Sequence, residues 1–240
     1  MCWKFERIPH RRFCGQKCEN VARSGGPMIF SLTKTHEIYQ SVVKQFKDSW
    51  RHTQRCPTVV TVYAIISHPQ IWAKYSAYRG AVETRGQFLK EGRSRGNEKR
   101  RWHGTTRKCN LGDAGNLQSC GHSACALCSI IRSSYDLGRF KNRTGWGRFG
   151  AGIYTTATSS KANDYSSNAI PSPRKALLLN SVVVGRGYKL TRDNPSLTKP
   201  PVGYDSVVGE PAVGGSLNYD ELVVYRNDAI RPSYLVIYQP

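Results

Sequence analysis

Residues 149–165 read FGAGIYTTATSSKANDY, and this stretch decides the fold of the chain. Gly150 and Gly152 permit positive φ or close backbone approach, and the aromatic and β-branched run IYTT at residues 153–156 reads as a strand. Ser159 and Ser160 suit the N-cap of a following helix. Tyr154 then stands on the strand and Tyr165 on the helix, eleven residues apart. Such a corner can grip a flat heterocycle between two ring faces. A tyrosine pair packed in an ordinary core is the competing reading, and two distant stretches decide between them.

Upstream lies Trp102-His103-Gly104-Thr105, and near the end lies Tyr219-Asp220-Glu221-Leu222-Val223-Val224-Tyr225. His-Gly-Thr, then FGxGIY with SSKxxxY, then Y-x-E followed by apolar residues and V-Y, resembles the catalytic domain of the poly(ADP-ribose) polymerases. Each piece is weak alone; the order and spacing carry the likeness. It extends over roughly residues 57–240, through VYAIISHPQIWAKYSAYRGAV at 62–82, PVGYDSVVG at 201–209 and IRPSYLVIY at 230–238.

The resemblance implies an α+β fold of the ADP-ribosyltransferase type, with split antiparallel β-sheets flanked by helices, and a His-Tyr-Glu triad of His103, Tyr154 and Glu221. NAD is the implied substrate. Tyr154 and Tyr165 would sandwich the nicotinamide ring and Gly104 would bond its carboxamide. His103, joined by Thr105, would hold the adenosine ribose. Glu221 would bond a hydroxyl of the nicotinamide ribose and assist the incoming nucleophile. The family commonly has a serine three residues before the second tyrosine, and here that position is Ala162. Ser160 is then the nearest hydroxyl for NAD. One lost hydrogen bond is worth only ~0.5–1.5 kcal/mol, so weakened nicotinamide recognition is expected, not its loss.

Composition bounds the rest. The chain has 240 residues, 39% of them hydrophobic, enough to bury a core in one or two domains. No run of about 18 apolar residues occurs, so no membrane helix is expected, and MCWKFERIPHRR lacks the apolar stretch of a signal peptide. The expectation is a protein inside the cell, nuclear or cytoplasmic, with secretion left open. Thirty-six Lys and Arg against sixteen Asp and Glu give a net charge of +20, which attracts polyanions such as nucleic acid. The densest basic run, KEGRSRGNEKRR at residues 90–101, reads as a loop ending against His103.

Two parts are expected: a basic, cysteine-rich segment at residues 1–26 and the catalytic domain at 27–240. Cys2, Cys14 and Cys18, with His10, offer a thin case for a partial zinc element, and idle thiols are the better reading. Ile38, Val42, Phe46 and Trp50 recur every four positions and predict a core-facing helix across residues 35–52. TVVTVYAII at 58–66 reads as a central strand, Pro69 as the start of a helix, and ALLLNSVVV at 176–184 as a strand buried on both faces. Strands are also expected near 205–207, 218–225 and 233–238. No alternating βα rhythm and no dinucleotide fingerprint occur, which independently favours α+β.

A cysteine-rich insertion follows the His-Gly motif. Cys125 and Cys128 have the spacing of a zinc knuckle, and Cys109 with Cys120 or His122 could complete four ligands. Disulfides or unrelated thiols are the alternatives. Ile130 and Ile131 then predict a helix beneath the site.

The expected function is NAD-dependent ADP-ribosyl transfer to a macromolecular acceptor, protein or nucleic acid, with structural zinc. A catalytically idle, zinc-stabilised module that binds nucleic acid or ADP-ribose on the same scaffold is the alternative.

Overall fold

A computed structural model describes residues 15–142 and 147–240. Cys2, His10 and Cys14 lie outside the described residues. The helices are α1 (Gln16–Ser24), α2 (Glu37–Asp48), α3 (Pro69–Gly86), α4 (Ala126–Ser133) and α5 (Ser159–Asp164). The strands are β1 (Met28–Ser31), β2 (Thr58–Ile66), β3 (Glu98–Gly104), β4 (Thr106–Arg107), β5 (Ile153–Thr155), β6 (Ser167–Asn168), β7 (Lys175–Val183), β8 (Gly187–Leu190), β9 (Ser206–Gly209), β10 (Glu221–Val224) and β11 (Ile230–Gln239).

Five strands in the order β1-β2-β11-β7-β3 form one sheet, antiparallel throughout. Four more, in the order β5-β10-β9-β8, form a second. The split-sheet α+β architecture expected from the resemblance is therefore present, with two parallel pairs at its margins, β8 with β9 and β4 with β6. Parallel neighbours need a long connection, and residues 191–205 supply it between β8 and β9.

The large sheet is covered on both faces because its central strands are apolar at successive positions. On β7, Leu177 and Leu179 join Val42, Phe46 and Trp102 under α2, while the intervening Leu178 joins Leu127 and Ile131 of α4. On β11, Val236 and Tyr238 face α2, and Leu235 and Ile237 face α4. This alternation is the period-two geometry of a strand. Each such side chain contributes about 1.5–3 kcal/mol when fully buried. Pro232 sits where the β11–β7 register shifts, the position a residue without an N–H tolerates inside a sheet. Tyr75, Tyr78 and Val82 of α3 pack with Ile153, Leu222 and Val224, tying the helix to the second sheet.

The structure departs from the sequence reading in several places. Residues 98–101 of the basic run form the start of β3, because pairing with β7 satisfies their backbone, and the Arg100 and Arg101 side chains are partly buried. Arg100 donates to Ser41 Oγ at 3.0 Å, and burial lowers both guanidinium pKa values. The earlier part of that run lies in two short 3-10 turns, Phe88–Glu91 and Arg95–Asn97, and the residues joining them. Helix α1 and strands β1, β4, β6 and β8 lie where composition gives no pattern.

Candidate active site

The site forms where the two sheets meet. Trp102 on β3 and Thr156 after β5 exchange backbone hydrogen bonds of 2.8 and 3.1 Å, an isolated bridge between the sheets. Its neighbours are brought together as a result: His103 Nδ1 lies 2.9 Å from the Tyr154 carbonyl oxygen. A carbonyl only accepts, so the Nδ1 proton faces it.

Tyr154 is fixed at its far end by the glycine loop. Its hydroxyl donates to Gly150 O at 2.7 Å and accepts from the Phe149 N–H at 2.9 Å. Gly150 adopts φ +67°, and a Cβ there would overlap the Leu197 carbonyl, so glycine is required on both counts. Tyr225 donates from below to Phe149 O at 2.6 Å.

Tyr154 pairs with Val223 across β5 and β10, so Glu221, two residues along, shares that face. Glu221 is 7% exposed. Its Oε1 accepts from Lys161 Nζ at 2.7 Å, and its Oε2 is buried with no hydrogen-bond partner among the described residues. Lys161 also donates to the carbonyls of Tyr219 and Asp220 at 3.3 and 3.2 Å. Tyr165, four residues after Lys161 and so on the same face of α5, is 54% exposed and open to a ligand. Burial raises the pKa of Tyr154 and Tyr165, and the Glu221 charge pushes both in the same direction.

Helix α5 is held from behind. Asp220 accepts from Thr156 Oγ1 at 2.9 Å, from the Ala157 N–H at 2.8 Å and from Thr158 Oγ1 at 3.2 Å, pinning the turn into the helix to β10. Ser159 donates to Phe46 O at 2.7 Å, a carbonyl in the last turn of α2 that otherwise has only a long 3.4 Å contact from Ser49 Oγ. The N-cap is Thr158, and the two serines lie inside the first turn, fully buried. Ser160 Oγ accepts from the Arg51 N–H at 3.0 Å. Expected to meet a ligand, Ser160 is engaged by the scaffold instead, because α5 presses its first turn onto the end of α2.

Gly104 allows that approach from the other side: a Cβ on it would overlap Ala162 O. Ala162 itself lies 2% exposed in the core cluster with Phe46 and Trp102. Thr105 is likewise buried at 4% exposure. The structure thus gathers His103, Gly104, Tyr154, Tyr165 and Glu221, and adds Lys161 and Asp220, which sequence reasoning did not single out. Their signal was present, as the lysine of SSK and the residue directly before the glutamate.

Behind this site is the cysteine cluster. The Sγ atoms of Cys109, Cys120, Cys125 and Cys128 lie within 4.8 Å of one another. Cys109 is 3.9 Å from Cys125 and 3.4 Å from Cys128, sulfur to sulfur. Tetrahedral ligation with bonds of ~2.3 Å spaces sulfurs by about 3.8 Å, whereas a disulfide needs ~2.05 Å. The donor set therefore fits a soft tetrahedral cation. Lys108 donates its backbone N–H to Cys125 Sγ at 3.3 Å. His122 is outside the cluster, its Nδ1 accepting from the Ala124 N–H at 3.1 Å.

Arg107, 1% exposed, links the cluster's loop to the large sheet. Its guanidinium donates to Asn168 Oδ1, Leu111 O, Asp113 Oδ1, Ser172 Oγ and Arg174 O at 2.7–3.1 Å. All five donors are satisfied.

Comparison with known proteins agrees with this geometry. The family model for the poly(ADP-ribose) polymerase catalytic domain matches residues 36–214. The human protein mono-ADP-ribosyltransferase PARP3 is 30% identical over 209 residues, covering 85% of this chain and 30% of that protein. Its Gallus gallus counterpart is 45% identical over 62 residues, 25% of this chain and 11% of that protein. The human protein mono-ADP-ribosyltransferase PARP4 is 33% identical over 97 residues, 39% of this chain and 6% of that protein. The chain spans less than a third of the length of these relatives. On the family match, and with the His-Gly, glycine-loop tyrosine and glutamate motifs gathered at one sheet junction, the chain belongs to the poly(ADP-ribose) polymerase catalytic domain family.

Proposed function

We propose that the chain cleaves the nicotinamide–ribose bond of NAD and transfers ADP-ribose to a macromolecular acceptor. The observation that carries this reading is the Glu221 carboxylate, buried with one oxygen held by Lys161 and the other without a partner, next to two tyrosines. A buried acceptor left unpaired is costly unless a ligand satisfies it. A hydroxyl of the nicotinamide ribose supplies the missing donor.

The leaving nicotinamide is already cationic, so departure needs no acid. It takes the carbon–nitrogen electron pair with it, and positive charge develops on the ribose, where the Glu221 carboxylate stabilises it. The acceptor nucleophile then bonds to the ribose carbon and releases its proton. Tyr154 and Tyr165 hold the nicotinamide ring between them, the Gly104 backbone bonds its carboxamide, and His103 holds the adenosine ribose. The relatives are named mono-ADP-ribosyltransferases of protein, which supports transfer of a single unit to a protein side chain.

Cys109, Cys120, Cys125 and Cys128 are proposed to hold structural zinc, supported by their sulfur spacing and by the few apolar groups in the Gly- and Ser-rich loop between them. The net charge of +20 supports attraction of nucleic acid as activator or acceptor.

Nicotinamide release by wild type and Glu221→Gln, with label transfer followed to protein and to added DNA or RNA, tests the reading. Glu221-dependent release with label on protein is expected. Absence of release under every condition, with polyanion binding retained, would move the assignment to a binding module.

A further inference from the structure

The cysteine cluster and the histidine of the site are connected by one short helix. α4 begins at the cluster, with Cys125 as its N-cap and Cys128 inside its first turn, and spans eight residues, about 12 Å. A helix this short has little stability of its own, so it depends on what holds its two ends and its buried face. Leu127 and Ile131 anchor the face against Leu235 and Ile237.

At the other end the chain turns through Ser134, whose φ of +62° and ψ of −167° lie in a region normally reserved for glycine. Two bonds hold it there: its N–H donates to Ile130 O at 2.8 Å and its hydroxyl to Ile230 O at 3.3 Å. The turn delivers Tyr135 onto His103. The two rings meet edge to face, centroids 5.1 Å apart and planes at 88°.

Tyr135 reaches the same strand a second way. Its hydroxyl donates to Asn180 Oδ1 at 2.8 Å, and Asn180 Nδ2 donates to Arg101 O at 3.0 Å, two residues before His103. Tyr135 is buried and Asn180 fully so, which leaves this chain no competing water. The imidazole is thus fixed on one side by Tyr154 O and on the other by a tyrosine whose position depends on α4.

We infer that Tyr135 is a positioning residue for His103, and that metal held by the four cysteines keeps it in place, so that occupancy of the metal centre sets affinity for the adenosine half of NAD. The inference rests on the proposed roles of His103 and of the cysteine cluster. Loss of metal frees the first turn of α4 and with it the strained turn that places Tyr135. The contact on His103 then loosens while Tyr154, Tyr165 and Glu221, carried by β5, α5 and β10, keep their places.

ADP-ribose is the probe, because it is not turned over and lacks nicotinamide. Its dissociation constant is measured by calorimetry for wild type, Tyr135→Phe, Tyr135→Ala, His103→Ala and the Tyr135→Ala/His103→Ala pair, with zinc content and melting temperature recorded for each. Tyr135→Ala is expected to weaken ADP-ribose about tenfold, and Tyr135→Phe, which keeps the ring and loses one hydrogen bond, about threefold. In the His103→Ala background Tyr135→Ala should add nothing, since the two residues act as one unit. Nicotinamide inhibition should stay within about twofold in all of them, a separation that general destabilisation would not produce.

Chelation should release zinc and weaken ADP-ribose as Tyr135→Ala does, with recovery when zinc is returned. In Tyr135→Ala itself, chelation should lower the melting temperature without weakening ADP-ribose further. Additive effects of Tyr135 and His103, or chelation that lowers melting while ADP-ribose affinity holds, would overturn the inference. So would a purified protein that contains no zinc and takes none up. Wild type that binds neither ADP-ribose nor NAD would instead refute the reading of the site beneath it, and the inference with it.

Discussion

Lys161 Nζ and Glu221 Oε1 lie 2.7 Å apart with both side chains largely shielded from water, and this pair engages one carboxylate oxygen and not the other. Lysine holds one oxygen, and the other, Oε2, is buried without a partner among the described residues, the oxygen that on the proposed reading meets the ribose hydroxyl. Breaking a buried pair by removing one partner costs about 3–5 kcal/mol, because the remaining charge is uncompensated. Lys161→Met should therefore reduce nicotinamide release by about 10- to 100-fold and lower the melting temperature, through loss of both pairing and orientation. Lys161→Arg should retain more activity than Lys161→Met. Equal loss in the two variants, read by steady-state kinetics, would show that charge at this position is not what matters.

Gly104 is a steric requirement of the interface between β3 and α5. An added methyl would overlap the Ala162 carbonyl, which belongs to a helix backbone and cannot swing aside. Gly104→Ala should cost at least the ~1–3 kcal/mol typical of overpacking, and should separate His103 from α5 enough to abolish measurable turnover. A variant that melts within a degree of wild type would show that α5 shifts freely, contrary to its ties to α2 and β10.

Much of this was legible in the sequence. Periodic apolar residues located α2, β2, α3 and β7, since burial of a face leaves a pattern that composition preserves. His103, Tyr154 and Glu221, far apart in sequence, are brought together where the two sheets meet. What stayed hidden depends on distant partners: β1, β4 and β8 are short strands whose existence comes from a neighbour's edge, and Arg100 and Arg101 read as solvated charge until β7 claims their backbone. The serines at 159 and 160 read as a cap and a ligand contact, because nothing local announces that the end of α2 needs donors and acceptors. Arg107 was one basic residue among many, and only the assembled loop shows its five partners.

Ser160 separates a ligand role from a structural one. Its hydroxyl is fully buried and accepts from the Arg51 N–H, so Ser160→Ala should destabilise by about 1–3 kcal/mol through the unpaired amide. The KM for NAD should remain within about twofold of wild type, since the side chain makes no path to the opening. A KM raised tenfold with unchanged melting would return Ser160 to the substrate. Ser159→Ala, which leaves Phe46 O with only the 3.4 Å contact from Ser49 Oγ, should destabilise in the same direction as Ser160→Ala.

Arg107 should be among the least replaceable residues outside the site. Its fork meets a carboxylate, two side-chain oxygens and two carbonyls, an arrangement only a planar five-donor group can satisfy. Lysine offers three donors on one nitrogen, so Arg107→Lys would strand some of these acceptors and leave Asp113 poorly compensated. The expected cost is about 3 kcal/mol or more, read as a large fall in the urea midpoint with an unchanged slope. Because Arg107 clamps the loop that carries Cys109, the same variant should also release zinc to a chelator faster than wild type. Arg107→Lys with wild-type midpoint and wild-type zinc release would show that the loop is held by its cysteines alone.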